Sequence, residues 1–132
     1  LILVDSSVWI DYFNGVVTPK TDKLNALLGR RPLAVGDLIL TEVLQGFGKE
    51  KDFEAAKEAL TSLRVITLGG EDIAVQAAVN FRRLREIGIT VRKTIDSVIA
   101  TRCIENGYDL LHDDKDFAPF VEHLGLREIA AA

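Results

Sequence analysis

The first five residues set the frame: Leu1-Ile2-Leu3-Val4 is an uninterrupted apolar run, and Asp5 ends it at once. A run this short, bounded by polar residues, has the form of a strand buried on both faces, as the strands of a parallel sheet are. A carboxylate placed directly after it projects from the carboxyl end of that strand. Asp5, Ser6 and Ser7 are all favoured N-cap residues. Val8, Trp9, Tyr12 and Phe13 follow at helical spacing until Asn14-Gly15, which predicts a first helix.

The same alternation continues along the chain. Thr18-Pro19 predicts a second helix carrying Leu24, Leu27 and Leu28 up to Gly29, and Leu33 to Val35 reads as a short strand. Residues 38–47 carry Leu40, Val43, Leu44 and Phe47 on one face, and residues 52–63 carry Phe53, Ala56, Leu60 and Leu63, so two more helices are expected. A strand over 65–68, a long helix over 71–87 stopped by Gly88, and a helix capped by Thr94 and running through Ile104 come next. The remainder reads as a strand over 108–111, an acidic turn, a helix from about Phe117 to His123 and a last strand near 126–129. Strands alternating with helices predict an α/β fold with a parallel sheet covered on both faces. Right-handed crossovers set the strand carboxyl ends along one edge, and ligands bind there, where the strand order reverses.

A length of 132 residues without repeat, linker or low-complexity tract predicts one compact domain over residues 1–132. No stretch approaches the roughly 18 apolar residues of a membrane span, and no basic segment precedes the opening apolar run, so a cytoplasmic protein is expected. The single cysteine, Cys103, and two isolated histidines, His112 and His123, make a zinc cluster a poor expectation. With 20 Asp and Glu against 16 Lys and Arg, the formal charge is −4, which argues against binding nucleic acid through global charge. The informative question is where the acids fall.

Asp5 follows the first strand, and Asp113, Asp114 and Asp116 follow the strand over 108–111. At about 100° per residue, Asp96 borders the apolar stripe of Ile95, Val98, Ile99 and Cys103, which brings its carboxylate near the core. Each position also has an ordinary structural reading: a helix cap for Asp5, a dipole-favoured carboxylate for Asp96, an Asx-turn for Asp113-Asp114. Glu42 lies about 160° from Leu40 on the same wheel, so spacing alone makes it a solvated glutamate. Carboxylates gathered in one cleft need a compensating cation, and an all-oxygen set suits Mg2+ or Mn2+. Such an ion activates a water and neutralises charge on phosphorus, which fits phosphodiester hydrolysis. From Arg82 to Arg102 the chain holds Arg82, Arg83, Arg85, Arg92, Lys93 and Arg102 against Glu86 and Asp96, a local basic stretch. The arginines at 82, 83 and 85 read equally as the solvated face of the long helix.

Four blocks carry a resemblance to a known family. These are Leu3-Val4-Asp5-Ser6-Ser7-Val8-Trp9-Ile10, Leu40-Thr41-Glu42-Val43-Leu44-Gln45-Gly46, residues 90–100 around Thr94-Ile95-Asp96-Ser97, and Leu111-His112-Asp113-Asp114-Lys115-Asp116-Phe117. Together, in order and across essentially the whole chain, they resemble the PIN-domain ribonucleases. Within these the chain is most similar to the VapC toxins of toxin-antitoxin pairs. The resemblance implies a three-layer fold around a mostly parallel sheet of about five strands, a Mg2+- or Mn2+-dependent endoribonuclease, a VapB-type antitoxin as inhibitor, and a homodimer. Carried over by position, Asp5, Glu42, Asp96 and Asp114 match the family's acidic metal-site quartet, and Asp116 its frequent fifth acid. Asp113 stands where many members have Asn or another small polar residue. Ser6 and Ser7 match hydroxyl positions that orient Asp5. On this reading Asp5, Asp96 and Asp114 hold the ion, Glu42 and Asp116 place a second ion or the attacking water, and Arg92 and Lys93 contact RNA phosphates. The resemblance, not periodicity, brings Glu42 to the site. Trp9, Tyr12, Phe13, Phe47 and Phe53 read as core, or as a groove that receives the antitoxin.

Other classes fit less well. A haloacid-dehalogenase phosphatase needs a second aspartate two residues after Asp5, where Ser7 stands, and a receiver domain needs adjacent acids after strand one, where Ser6 stands. A catalytically degenerate PIN domain that only binds RNA or a partner is the remaining alternative, and the intact acidic set weighs against it.

Overall fold

In a computed structural model, which describes residues 1–131, the chain folds as a five-stranded sheet flanked by helices. In chain order the elements are β1 (Ile2–Val4), α1 (Ser6–Phe13), α2 (Pro19–Leu27), β2 (Leu33–Gly36), α3 (Asp37–Leu44), α4 (Glu50–Thr61) and β3 (Arg64–Ile66). There follow α5 (Glu71–Glu86), α6 (Thr94–Asn106), β4 (Asp109–Leu111), a 3-10 turn (Lys115–Phe117), α7 (Ala118–Leu124) and β5 (Arg127–Glu128). The strand order is β3-β2-β1-β4-β5, and every pairing is parallel. The α/β alternation and the sheet of about five strands are therefore as expected.

β1 is the central strand, and all three of its residues are buried, as a strand covered on both faces requires. After β1 the chain builds β2 and β3 on one side, then crosses to build β4 and β5 on the other. The strand order thus reverses between β1 and β4, and their carboxyl ends flank the crevice that this reversal leaves open. The register pairs Val4 with Leu111, and the Asp5 N–H donates to the Leu111 carbonyl at 2.9 Å. Asp5 and the 112–116 loop are consequently neighbours across one strand spacing.

Several boundaries differ from the periodicity reading. α3 ends at Leu44, three residues early, because Gln45 caps it and Gly46 and Gly48 follow; Phe47 lies in the turn beyond. The face that α3 buries carries Ile39 and Val43, not Leu40 and Phe47. α4 begins at Glu50 and stops at Thr61, leaving Leu63 in the turn into β3. Thr94 is the first residue of α6 rather than its cap, which is Lys93. β3 starts at Arg64 and leaves Leu68 outside the strand, yet fully buried. Leu68 packs so closely on Gly36 that a Cβ there would collide with the leucine side chain. The Asp37 carboxylate fixes this crossing by accepting from the N–H groups of Leu38 (2.9 Å) and Leu68 (3.0 Å). Among the described residues, no helix is long and apolar enough to cross a membrane.

Candidate metal centre

Asp5 is 3% exposed and caps α1. Its Oδ2 accepts from the Ser7 N–H at 3.1 Å and from the Ser7 hydroxyl at 2.7 Å, and the Ser7 Oγ in turn accepts from the Asp113 N–H at 3.1 Å. Cap and site readings coincide here: the bonds that start the helix also fix the carboxylate and tie β1 to the loop after β4. Asp113 serves through its backbone, while its side chain is exposed.

Asp96 sits in the first turn of α6 and is 7% exposed, on the face that also buries Ile99, Ala100 and Cys103. Burial, followed by the negative charge of Asp5, pushes its carboxyl up to about 7, with Asp114 and Glu42 adding to the rise and Lys93 opposing it. Its Oδ2 is buried without a hydrogen-bond partner. A buried carboxylate oxygen with nothing to satisfy it is costly unless a cation supplies the missing partner.

Asp114 lies in the loop after β4 and caps the 3-10 turn by accepting from the Asp116 N–H at 2.9 Å. Burial alone would raise its pKa, but that bond and the Lys93 ammonium, which both donates to it and attracts it, hold it below the usual carboxylate range. His112 fixes the loop from beneath. Its Nδ1 accepts from the Asp114 N–H at 3.2 Å, so Nε2 carries the proton and donates to Glu128 of β5 at 2.7 Å. This clamp was not anticipated. Its signal in the sequence is only a histidine two positions before an acid, and Glu128 is reached solely through the β4–β5 pairing.

Oxygens of Asp96, Asp114 and Asp116 lie within 4.8 Å of one another, which makes these three a possible ion cradle. Glu42 is half-buried on α3, and its Oε1 accepts from the Ser6 hydroxyl at 3.4 Å. Burial and the Asp5 charge raise its pKa. The helical-wheel reading of Glu42 as solvated is therefore overturned. Measured from Ile39 and Val43, Glu42 is only about 60° and 100° away; the stripe used for the wheel omitted Ile39 and included Phe47, which α3 does not contain. Ser6 thus serves Glu42 and Ser7 serves Asp5, so the two hydroxyls orient different acids.

The basic stretch divides. Arg82, Arg83 and Arg85 are exposed on α5, with Arg85 over the Phe81 ring at 5.7 Å to its centroid. Arg102 is structural, donating to the carbonyls of Leu68 (3.0 Å) and Gly69 (2.6 Å). Arg92 is exposed and lines a surface depression with Lys115, Asp116 and Pro119, beside the acids. Lys93 is exposed, yet its ammonium reaches the acids, 3.0 Å from Asp114, 3.7 Å from Asp116 and 3.9 Å from Asp96. The aromatic residues also part company: Trp9 is buried and stacks on Phe13 at 5.8 Å, whereas Phe13 and Phe47 line a groove with Ile10, Val43 and Glu42. Phe53 is half-buried on α4 and Tyr12 meets Trp9 edge-on.

An all-parallel sheet with carboxylates gathered where its strand order reverses defines an α/β protein with an acidic crevice at its strand ends. Within that class, residues 2–121 match the PIN domain family, and the chain belongs to it. It is similar to the VapC ribonuclease Mb1587 of Mycobacterium bovis and to ribonuclease VapC11 of Mycobacterium tuberculosis, each 27% identical over 119 residues, covering 89% of this chain and 89% of the relative. Among solved structures, the VapC20 of Mycobacterium tuberculosis, described as a sarcin-ricin loop cleaving toxin, has a TM-score of 0.72 at 19% identity and covers 98% of both chains. The DNA-bound VapBC of Salmonella typhimurium gives 0.75 at 16% identity, covering 99% of this chain and 98% of that one.

Proposed function

We propose that this chain is a divalent-metal-dependent endoribonuclease, the toxin of a toxin-antitoxin pair restrained by a cognate VapB-type antitoxin. The observation that carries the reading is the buried Oδ2 of Asp96, which has no hydrogen-bond partner and stands beside Asp114 and Asp116, on a carboxyl raised first by burial and then by the charge of Asp5. An all-oxygen set of this kind fits a hard cation, with Mg2+ or Mn2+ as the proposed ion. The names of the curated relatives support ribonuclease activity.

Asp5, Asp96 and Asp114 would hold the ion directly or through water, with Asp116 and Glu42 beside them. When bound, the ion supplies an acidified water and neutralises charge gathering on the phosphorus. Ser7 keeps Asp5 pointed into the crevice. Glu42, whose Oε1 accepts from Ser6, would help to place the attacking water. Arg92 at the rim orients the phosphate backbone of single-stranded or looped RNA, whose unstacked nucleotides fit a narrow crevice. Residues 1–132 act as one unit on this reading, in the cytoplasm and as a homodimer, and the groove beside Phe13 and Phe47 receives the antitoxin.

RNA cleavage by the purified chain in Mg2+ or Mn2+ is the test. Asp5→Ala and Asp96→Ala are expected to lower the rate about a thousandfold or more, since several kcal/mol of transition-state stabilisation depend on the ion. Undiminished cleavage in EDTA overturns the metal mechanism. RNA binding without cleavage by the unmutated chain would favour the binding-only PIN domain instead.

A further inference from the structure

One ammonium among three carboxylates is a feature that the chemistry above leaves unused. Lys93 Nζ lies within 4 Å of Asp96, Asp114 and Asp116, and these residues are also the three whose oxygens converge. The lysine thus stands where a divalent cation would be expected. We infer that Lys93 is a resident counter-ion of the acidic cluster, exchanged for the divalent ion when the metal binds and released toward the phosphate of the substrate. The inference rests on reading these acids as metal ligands.

Three observations point to exchange instead of a fixed lock. The Lys93 side chain is 56% exposed, so outward motion costs it little burial. Its closest contact is the single 3.0 Å bond to Asp114, and the other two, at 3.7 and 3.9 Å, are purely ionic. Exposed pairs of this kind are weak, and a lysine stem has four flexible carbons, so the ammonium is readily moved. Meanwhile the Asp96 Oδ2 is left without a hydrogen bond, so the lysine offsets part of the cluster's charge without completing it. An ammonium and a divalent ion within a few ångströms of each other repel, which makes joint occupancy unfavourable. The next residue back, Arg92, lies exposed beside Asp116 and Lys115. A displaced Lys93 would therefore join existing positive charge at the rim, where a phosphate is expected.

The two roles differ in sign. A structural lock predicts that removing the ammonium loosens the cluster and weakens metal binding; a competitor predicts that removal strengthens it. Mn2+ binding to the full chain, followed by the electron paramagnetic resonance signal of free Mn2+, separates them without reference to activity. Lys93→Met, and Lys93→Gln as a second variant, are expected to bind Mn2+ about tenfold more tightly than the unmutated chain. Lys93→Arg, which keeps the charge, should bind no more tightly. The metal-free Lys93→Met protein should melt at lower temperature and regain the difference on adding Mn2+. Equal or weaker Mn2+ binding by both neutral variants overturns the inference while leaving the metal site standing. A folded unmutated chain and folded variants that all fail to bind Mn2+ would remove the metal reading, and this inference with it.

Discussion

The two arms of the acidic crevice are built by opposite means. On the β1 side, Asp5 is buried and held by short hydrogen bonds from Ser7, which in turn receives the Asp113 N–H. On the β4 side, Asp114 and Asp116 are partly exposed, and although Asp114 Oδ1 accepts the Asp116 N–H, the Oδ2 atoms of both meet the ammonium of Lys93. Asp96 stands between them, as buried as the first arm yet as short of hydrogen bonds as the second. Hydrogen bonds with fixed directions preserve a geometry whether or not a cation is present, whereas unaimed ionic contacts leave room for one cation to replace another. The contrast teaches that the crevice has a rigid wall and an adaptable one.

That contrast can be broken from either side. The largest effect belongs to Asp96. Its folded-state pKa of about 7 lies above the ordinary carboxylate value of 3.8, so the folded chain binds a proton that the unfolded chain has already lost. Stability of the metal-free protein should therefore be full at the low end of that window and fall as pH rises toward 7, by as much as about 4 kcal/mol. Glu42, also raised, adds to the slope; Asp114, lowered, acts in the opposite sense and only below its ordinary range. Thermal melts in EDTA across pH 4 to 7 would read this, and Asp96→Asn or saturating Mn2+ should flatten the curve. A flat curve for the unmodified, metal-free chain would show that Asp96 ionises freely.

Next comes the rigid wall. Ser7→Ala removes the 2.7 Å bond to Asp5 and the acceptor of the Asp113 N–H together, and is expected to weaken Mn2+ binding about tenfold or more. Calorimetric titration of folded protein checks it. The smallest effect is expected at Ser6, whose bond to Glu42 is 3.4 Å long: Ser6→Ala should leave Mn2+ affinity within about threefold and change mainly the pH profile of cleavage. Equal losses at Ser6 and Ser7 would erase the distinction between the walls.

Much of the fold was legible because β1 announces itself: a short apolar run closed by an acid has few alternatives to a buried strand end, and Leu110-Leu111 ahead of an acidic turn marks a second one. Asp5 and the acidic group Asp113, Asp114 and Asp116 could be set at one edge from this alone, since both follow strands that end there, whereas the choice of Asp114 came from the family resemblance. Asp96 was half legible, as a carboxylate bordering an apolar stripe. Glu42 was not. Its helix is short, and one wrong choice of stripe rotates every inference drawn from the wheel. Lys93 shows the limit most clearly. Its relation to Asp96 is local, three residues apart, but Asp114 and Asp116 reach it only when β4 has docked beside β1. The His112–Glu128 clamp depends in the same way on β5, which is just two residues long.

The position of β1 at the centre of the sheet also bears on when the crevice comes into being. Its acids are spread from residue 5 to residue 116, and the Asp5 N–H finds its partner at Leu111 only after more than a hundred further residues have been made. During synthesis, β1 and β2 are available early, but one edge of β1 stays open until β4 has left the ribosome. A growing chain shorter than that carries Asp5, Glu42 and even Asp96 without the loop that completes their grouping. The cluster therefore matures only once β4 and the loop after it have been made, and before that its acids are scattered along a chain that holds no crevice.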